Sequence, residues 1–296
     1  MLTTQPLPST SREPALQHLS RRRSRLVRAT STYVLLIIVV ALVLFPIYWM
    51  AITSLKLPRE IFRTPTLWPE LFTWRNYDEL INERGFLTNV KNSLIVATSV
   101  TIISLLISSF AAYSLVRFKY RFKGVIGKVI LFAYLTPTTL LFIPLSIVVA
   151  RLDLGNSLLG LIPIYLTFSL PLSTWLLQGY FRGVPKELEE QAMVDGASRM
   201  RALFQILLPL SAPGLAAVAI FTFTGAWNEL LLALIFITSE SKQTVPVGIN
   251  SLISADVLPW GTVMAGAVIA SLPMMLLYFV SQRFMVQGMT SGSVKG

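Results

Sequence analysis

The sequence contains no cysteine and one histidine, and charged residues fill only 13% of its 296 positions. Without cysteine there is no disulfide framework, no thiolate-ligated zinc or iron–sulfur site and no thiol nucleophile. A single histidine, His18 in a polar N-terminal segment, does not supply a His-based metal site or catalytic triad. Soluble domains carry about 25% charged residues. Half that value, with 54% hydrophobic residues, argues against a water-soluble enzyme and equally against intrinsic disorder. No Gly-x-x-x-x-Gly-Lys-Ser/Thr phosphate loop occurs, so the chain carries no recognisable nucleotide-hydrolysing motif of its own.

What the sequence has instead is long stretches without charge. Six windows free of Asp, Glu, Lys and Arg reach the ~20 residues that a membrane helix needs: Ala29–Leu55, Asn92–Val116, Val129–Ala150, Leu154–Phe181, Ala202–Asn228 and Val257–Gln282. They predict an all-α polytopic membrane protein with six transmembrane helices. A further apolar run, Leu230–Ile237, reads as the continuation of the fifth helix. Pro46, Pro137, Pro144, Pro163, Pro171 and Pro273 fall inside the windows. Lipid tolerates such prolines where neighbouring groups satisfy the freed carbonyls. They fit either kinked helices around a path or simple packing irregularity.

The formal net charge is +11, a value that suggests nucleic acid until the charges are placed. Loops on one side of the six windows hold seventeen Lys and Arg, and loops on the other hold eight. The rich side contains Arg21, Arg22, Arg23, the acid-free run from Arg117 to Lys128, and Arg182 to Arg201. By the positive-inside bias that side is cytoplasmic, with both termini. The basic excess is then a signal of topology and anionic lipid, and a nucleic-acid partner is not needed to explain it. Residues 1–28 read as a disordered basic tail and residues 29–282 as the permeating domain. Residues 283–296, Gly- and Ser-rich at the end, read as a C-terminal tail.

The cytoplasmic loop at 183–209 carries the most information. Pro185 suits the first position of a short helix and Gly196 the position just past its end. Glu187, Glu189 and Glu190 lie in its early turns, where carboxylates complement the helix dipole. Val184, Leu188 and Ala192 make an apolar stripe at four-residue spacing. Ser198 suits the cap of a second helix whose apolar face holds Met200, Leu203, Phe204 and Leu207. The pair reads as a helical hairpin lying on lipid or as a docking element for a cytoplasmic partner. Lipid-lying helices are rich in Lys and Arg on their polar face, whereas the first helix carries three Glu and one Lys, which favours docking.

This loop resembles the signature of binding-protein-dependent ABC importer permeases. Glu190-Gln191-Ala192, Gly196, Ile206 and Leu208-Pro209 stand at the signature spacings, with Gln191 the one departure; Asp195, Ala197, Phe204 and Pro213 complete its extended form. The resemblance implies that Glu190, Ala192, Asp195, Gly196, Ala197, Phe204, Ile206, Leu208 and Pro209 belong to a coupling loop seated in an ATPase subunit. Its further implication is a set of partners: a second homologous permease, two cytoplasmic ATPases that bind ATP and Mg²⁺, an extracytoplasmic solute-binding protein and membrane lipid. This chain would bind no cofactor and do no catalysis. Ala226-Trp227-Asn228-Glu229 and the C-terminal Gln287–Gly296 are similar to the smaller membrane subunit of maltose-type carbohydrate importers of prokaryotic cytoplasmic membranes. That likeness implies a tail, with Thr290, Ser291, Gly292 and Lys295, that reaches the ATPase interface. Other solutes, such as glycerol phosphate or a polyamine, and a self-contained secondary transporter are the alternatives. A carboxylate at bilayer depth is costly and should face the bundle interior. Trp227, Asn228 and Glu229 therefore either shape the translocation path or hold the bundle together by an interhelical hydrogen bond.

Overall fold

A computed structural model describes residues 13–63, 65–253 and 258–292. Among these all regular structure is helical. Two compact units form, one up to Ile52 and one from Thr53 onward. The first is the body of a long helix, α1 (Glu13–Ser54). Its apolar side chains from Tyr33 to Phe45 are exposed, as suits a face toward lipid. Helix α1 starts well before Ala29, so the basic segment expected to be disordered is helical from Glu13. Pro14 is tolerated in a first helical turn, and Ala, Leu, Gln and Arg behind it are good helix formers. Residues 1–12 lie outside the described residues.

The second unit is built around α2 (Phe86–Arg117). Its most extensive packing is against α5 (Leu158–Gly183), then against α8 (Ala212–Asn228). Small side chains make this close approach possible: Ala97, Ser104, Ser108 and Ala112 are all fully buried on α2. Membrane helices associate by such packing, because lipid supplies no hydrophobic drive between them. Ser104 and Ser169 share a hydrogen bond of 2.7 Å across the α2–α5 contact, and Ser173 and Thr222 share one of 3.2 Å between α5 and α8. Helix α11 (Trp260–Gly292) packs on α8, and α10 (Val245–Ile253) on α2 and α11.

Two of the expected spans are not straight helices. The third is split into α3 (Lys123–Leu135) and a segment containing α4 (Phe142–Arg151), bent by 94°. Thr136 and Pro137 are extended there, the conformation that proline imposes on its predecessor and that ends a helix. The fifth is split into α7 (Arg199–Leu210) and α8, bent by 77° at Ser211. Pro209 and Pro213 stand one turn apart and each removes a backbone donor. A π-helical turn at Leu203–Leu207 precedes the bend. Among the described residues, four helices are long and apolar enough to cross a membrane by themselves, or up to six spans if each bent pair counts as one.

At the end of the unit away from the 183–209 loop, side-chain amides replace regular structure. Asn156, in left-handed backbone at φ 47°, accepts from the N–H groups of Thr238 and Ser239 at 3.1 and 3.0 Å. Asn92 donates to the carbonyls of Ser241 and Gln243 at 3.0 and 2.9 Å. These amides satisfy carbonyls and N–H groups that have no helical partner.

Gly160, in the first turn of α5, packs against the backbone of Leu154, and a Cβ at this position would overlap the Leu154 carbonyl oxygen. Gly160→Val is expected to destabilise the protein by about 1–3 kcal/mol, the usual cost of overpacking. Thermal unfolding of the purified protein reads this out, and an unchanged melting temperature would refute the close approach.

Candidate coupling element and membrane cavities

The 183–209 loop folds as two short helices, as its start and stop signals indicate. Helix α6 (Lys186–Val194) follows an extended Pro185, one residue from the position expected. It ends in a Schellman motif: the Ala197 N–H donates to the Ala192 carbonyl at 2.9 Å and the Gly196 N–H to the Met193 carbonyl at 3.2 Å. Gly196 lies at φ +88°, where a side chain would strain the backbone. Ser198 then caps α7, its hydroxyl accepting from the Arg201 N–H at 3.2 Å.

The element has a buried side and a bare side. Leu203 and Leu207 are fully buried with Ala112 and Tyr113 of α2, Leu177 and Phe181 of α5, and Val218 of α8. Val194 is 87% exposed, and Leu188, Met200 and Phe204 are also exposed, Phe204 with its ring edge-on to Phe110 of α2 at 6.1 Å. The Lys186 ammonium pairs with the Glu190 carboxylate on the surface. That hydrogen bond, then the ammonium charge, holds the Glu190 carboxyl below the usual carboxylate range. Of the remaining signature residues, Asp195 and Pro209 are exposed, and Ala192, Ala197, Ile206 and Leu208 are half-buried.

The contact that fixes the element was not singled out by its sequence pattern. Arg117, in the last turn of α2, reaches Glu189 with Nε 2.6 Å from Oε1. Its Nη2 donates to the Val184 carbonyl at 2.9 Å. The two side chains are 8% and 4% exposed. Tyr113 donates to the Arg199 carbonyl at 3.3 Å, and the Arg199 guanidinium lies over the Phe118 ring at 5.2 Å. The only available signal was an Arg at the end of one span and three acids in a loop two spans later.

Trp227, Asn228 and Glu229 are consecutive, but Glu229 lines a different space from the groove that Trp227 and Asn228 both border. Trp227 is buried, stacked on Phe223 at 5.6 Å. Asn228 is exposed in a groove of about 530 Å³ bordered by Val245, Asn250, Ser271 and Met274. Glu229 borders a separate cavity of about 330 Å³ with Tyr134, Tyr165, Phe168 and Thr222. The helix does not continue through Glu229. It breaks there, and α9 (Leu231–Phe236) starts afresh. The Glu229 carboxylate accepts from the Leu232 and Ala233 N–H groups, both at 3.0 Å, and from the Tyr165 hydroxyl at 2.9 Å. Glu229 thus caps a half-helix and ties it to α5. Thr290, Ser291 and Gly292 form the end of α11 rather than a frayed tail; no proline interrupts the chain there. Lys295 lies outside the described residues. Among the described residues no group of three or more His, Asp or Glu is placed to hold a metal ion.

Removing one partner of a buried ion pair leaves the other charge uncompensated, at a cost of roughly 3–5 kcal/mol. Arg117→Ala is expected to destabilise by about that amount, and Arg117→Ala with Glu189→Ala by less than the sum of the two single changes. Denaturant unfolding of the four proteins checks this; strictly additive losses would show that the two side chains are not coupled.

The chain resembles proteins of known kind along nearly its whole length. Residues 104–291 match the family described as "Binding-protein-dependent transport system inner membrane component". An inner membrane ABC transporter permease protein of Escherichia coli, YcjP, is 35% identical over 256 residues, covering 86% of this chain and 91% of that one. The trehalose/maltose transport system permease protein MalG of Thermococcus litoralis is 36% identical over 263 residues, covering 88% and 94%. Among solved structures, a bacterial ABC transporter involved in the import of the acidic polysaccharide alginate superposes with a TM-score of 0.73 at 22% identity, covering 94% of this chain and 99% of that one. A family match over more than half the chain, spanning the loop whose two-helix geometry is described above, makes this multi-pass helical protein a member of the inner membrane components of binding-protein-dependent transport systems.

Proposed function

We propose that the chain is the membrane-spanning permease subunit of an ATP-driven importer for a carbohydrate. The observation that carries this reading is the 183–209 element, which leaves apolar side chains exposed on one side and is locked to α2 on the other. Relatives that carry trehalose or maltose by name support the solute class. In this reading the two bent pairs each make one span, giving six, with both termini cytoplasmic in a prokaryotic inner membrane. A second permease subunit completes the path, and a binding protein delivers the sugar at the face of the Asn92 and Asn156 networks. Two ATPase subunits, which hold the ATP and Mg²⁺, receive the bare side of α6 and α7. The end of α11, with Thr290, Ser291 and Gly292, extends toward them, and Lys295, outside the described residues, is assigned to the same contact. This subunit itself performs no catalysis.

Closure of the ATPases would push on α6. Because Glu189 and the Leu203–Leu207 face are packed against α2, α5 and α8, that push moves the central helices and alternates access to the path. Asn228 is the member of the Trp227–Glu229 run that stands open to a groove, and Glu229 keeps the broken fifth span in register.

Gly196→Leu tests the coupling assignment, since a leucine at φ +88° must rebuild the turn between α6 and α7. In proteoliposomes holding the complete transporter, sugar uptake is expected to fall at least about tenfold while ATP hydrolysis continues or the ATPases dissociate. Normal uptake per ATP would refute it. Glu229→Gln leaves one cap donor without its acceptor, and is expected to lower stability by about 1–3 kcal/mol and to reduce uptake. Lowered stability with unchanged uptake would confine this carboxylate to capping.

A further inference from the structure

We infer that the pocket between the first turns of α3 and the last turns of α5 binds the phosphate of an anionic phospholipid. The pocket encloses about 270 Å³ and is lined by Lys123, Gly127, Lys128, Trp175, Gln178 and Arg182, among others. A neighbouring cavity of about 510 Å³ shares Trp175, Gln178 and Arg182. Three cations therefore face one small space. Among the described residues, none of the three forms an ion pair. Lys123 donates to the carbonyls of Val116 and Phe118 at 3.3 and 3.0 Å, and Arg182 to the Gln178 amide oxygen at 3.3 Å. These neutral acceptors orient the cations and leave their charge uncompensated. Of the acids in the adjoining loop, Glu189 is paired with Arg117 and Glu190 with Lys186.

The surroundings select a lipid over a soluble anion. Gly124 and Gly127 leave open space where other residues would place a side chain, so a headgroup can approach the α3 backbone. Farther along α3, Val125, Val129 and Phe132 are exposed and apolar, and Trp175 is exposed beside the cations. An acyl chain can lie along that strip while the phosphate sits among the cations. Trp favours the depth where headgroup meets hydrocarbon, and basic pockets between membrane helices are where acidic headgroups bind. The pocket shares the last turn of α5 with the start of the coupling loop, since Arg182 is one residue from Gly183. The proposal requires only that the chain lie in a membrane, not that its solute be a sugar.

The assembled transporter, delipidated in detergent, is re-supplied with phosphatidylglycerol, phosphatidylcholine or inorganic phosphate, and the molecules bound to this subunit are counted by native mass spectrometry. Phosphatidylglycerol is expected to be held at least about tenfold more tightly than phosphatidylcholine and to resist displacement by inorganic phosphate. Lys128→Gln with Arg182→Gln is expected to abolish that preference by removing charge. Gly127→Leu is expected to abolish it by filling the pocket, with all charges kept and helix propensity improved. The second variant carries the test if the first does not assemble. Undiminished phosphatidylglycerol binding in an assembled variant would overturn the proposal, as would equal retention of phosphatidylcholine. Inorganic phosphate that displaces the lipid at equal concentration would overturn the lipid assignment in favour of a soluble-anion site.

Discussion

A charge removed from water must be paired, and in this protein one such buried pair also joins the 183–209 element to the central helices. Arg117 closes the longest buried helix of the second unit, and Glu189 sits on the underside of the short helix α6. Separated by less than 3 Å, and both almost fully buried, neither can leave without stranding the other. The guanidinium also holds the Val184 carbonyl, so one side chain fixes both the approach to α6 and its first turns. Around it, Tyr113, Phe118 and Arg199 add a hydroxyl–carbonyl bond and a cation–ring contact. A displacement of α6 is therefore a displacement of the end of α2.

From that end the packing divides. Ala112, Tyr113, Leu177, Phe181 and Val218 form the core beside the loop. Val96, Val100, Leu161, Ile164 and Leu232 form a core near the other end, and Ala97, Phe223, Trp227 and Val245 another. Helices α2, α5 and α8 each contribute to the core beside the loop and to at least one of the other two. Helices α9 and α10 contribute only at the end away from the loop. Where a helix breaks, its unpaired N–H and carbonyl groups need partners, most of all at membrane depth. The break before α9 is made affordable by Glu229, which takes two N–H groups and a phenol at once.

Much of this was legible in the sequence, and the failures have a common physical form. Charge-free length located the membrane segments, because lipid excludes charge over a fixed thickness. Gly196 and Ser198 marked a turn because each satisfies a local backbone requirement that no neighbour needs to supply. What depends on a distant partner was not legible. Glu189 and Glu190 look interchangeable in the chain, yet one is buried on Arg117 and the other pairs with Lys186 at the surface. Trp227, Asn228 and Glu229 read as one motif, but successive helix positions point about 100° apart and a break follows, so Trp227 packs in a core at the border of the groove that Asn228 opens onto, and Glu229 faces a separate cavity. The windows also hid two bends. Pro137, and Pro209 with Pro213, were visible, but a proline alone does not say whether neighbours will straighten a span or let it fold over.

The bend at Ser211 has a mechanical consequence. A straight fifth span would carry α7 along the axis of α8, and a push on α7 would slide one helix past its neighbours. With 77° between them, α7 instead lies across the ends of α2 and α5, where Leu203 and Leu207 are buried. In the proposed reading, a push on the element then arrives as a torque on several helix ends together. The prolines that interrupt the apolar window thus set α7 at an angle to α8 rather than along its axis. In the proposed reading, the exposed Val194 and Met200 belong to the side of that element that a partner covers.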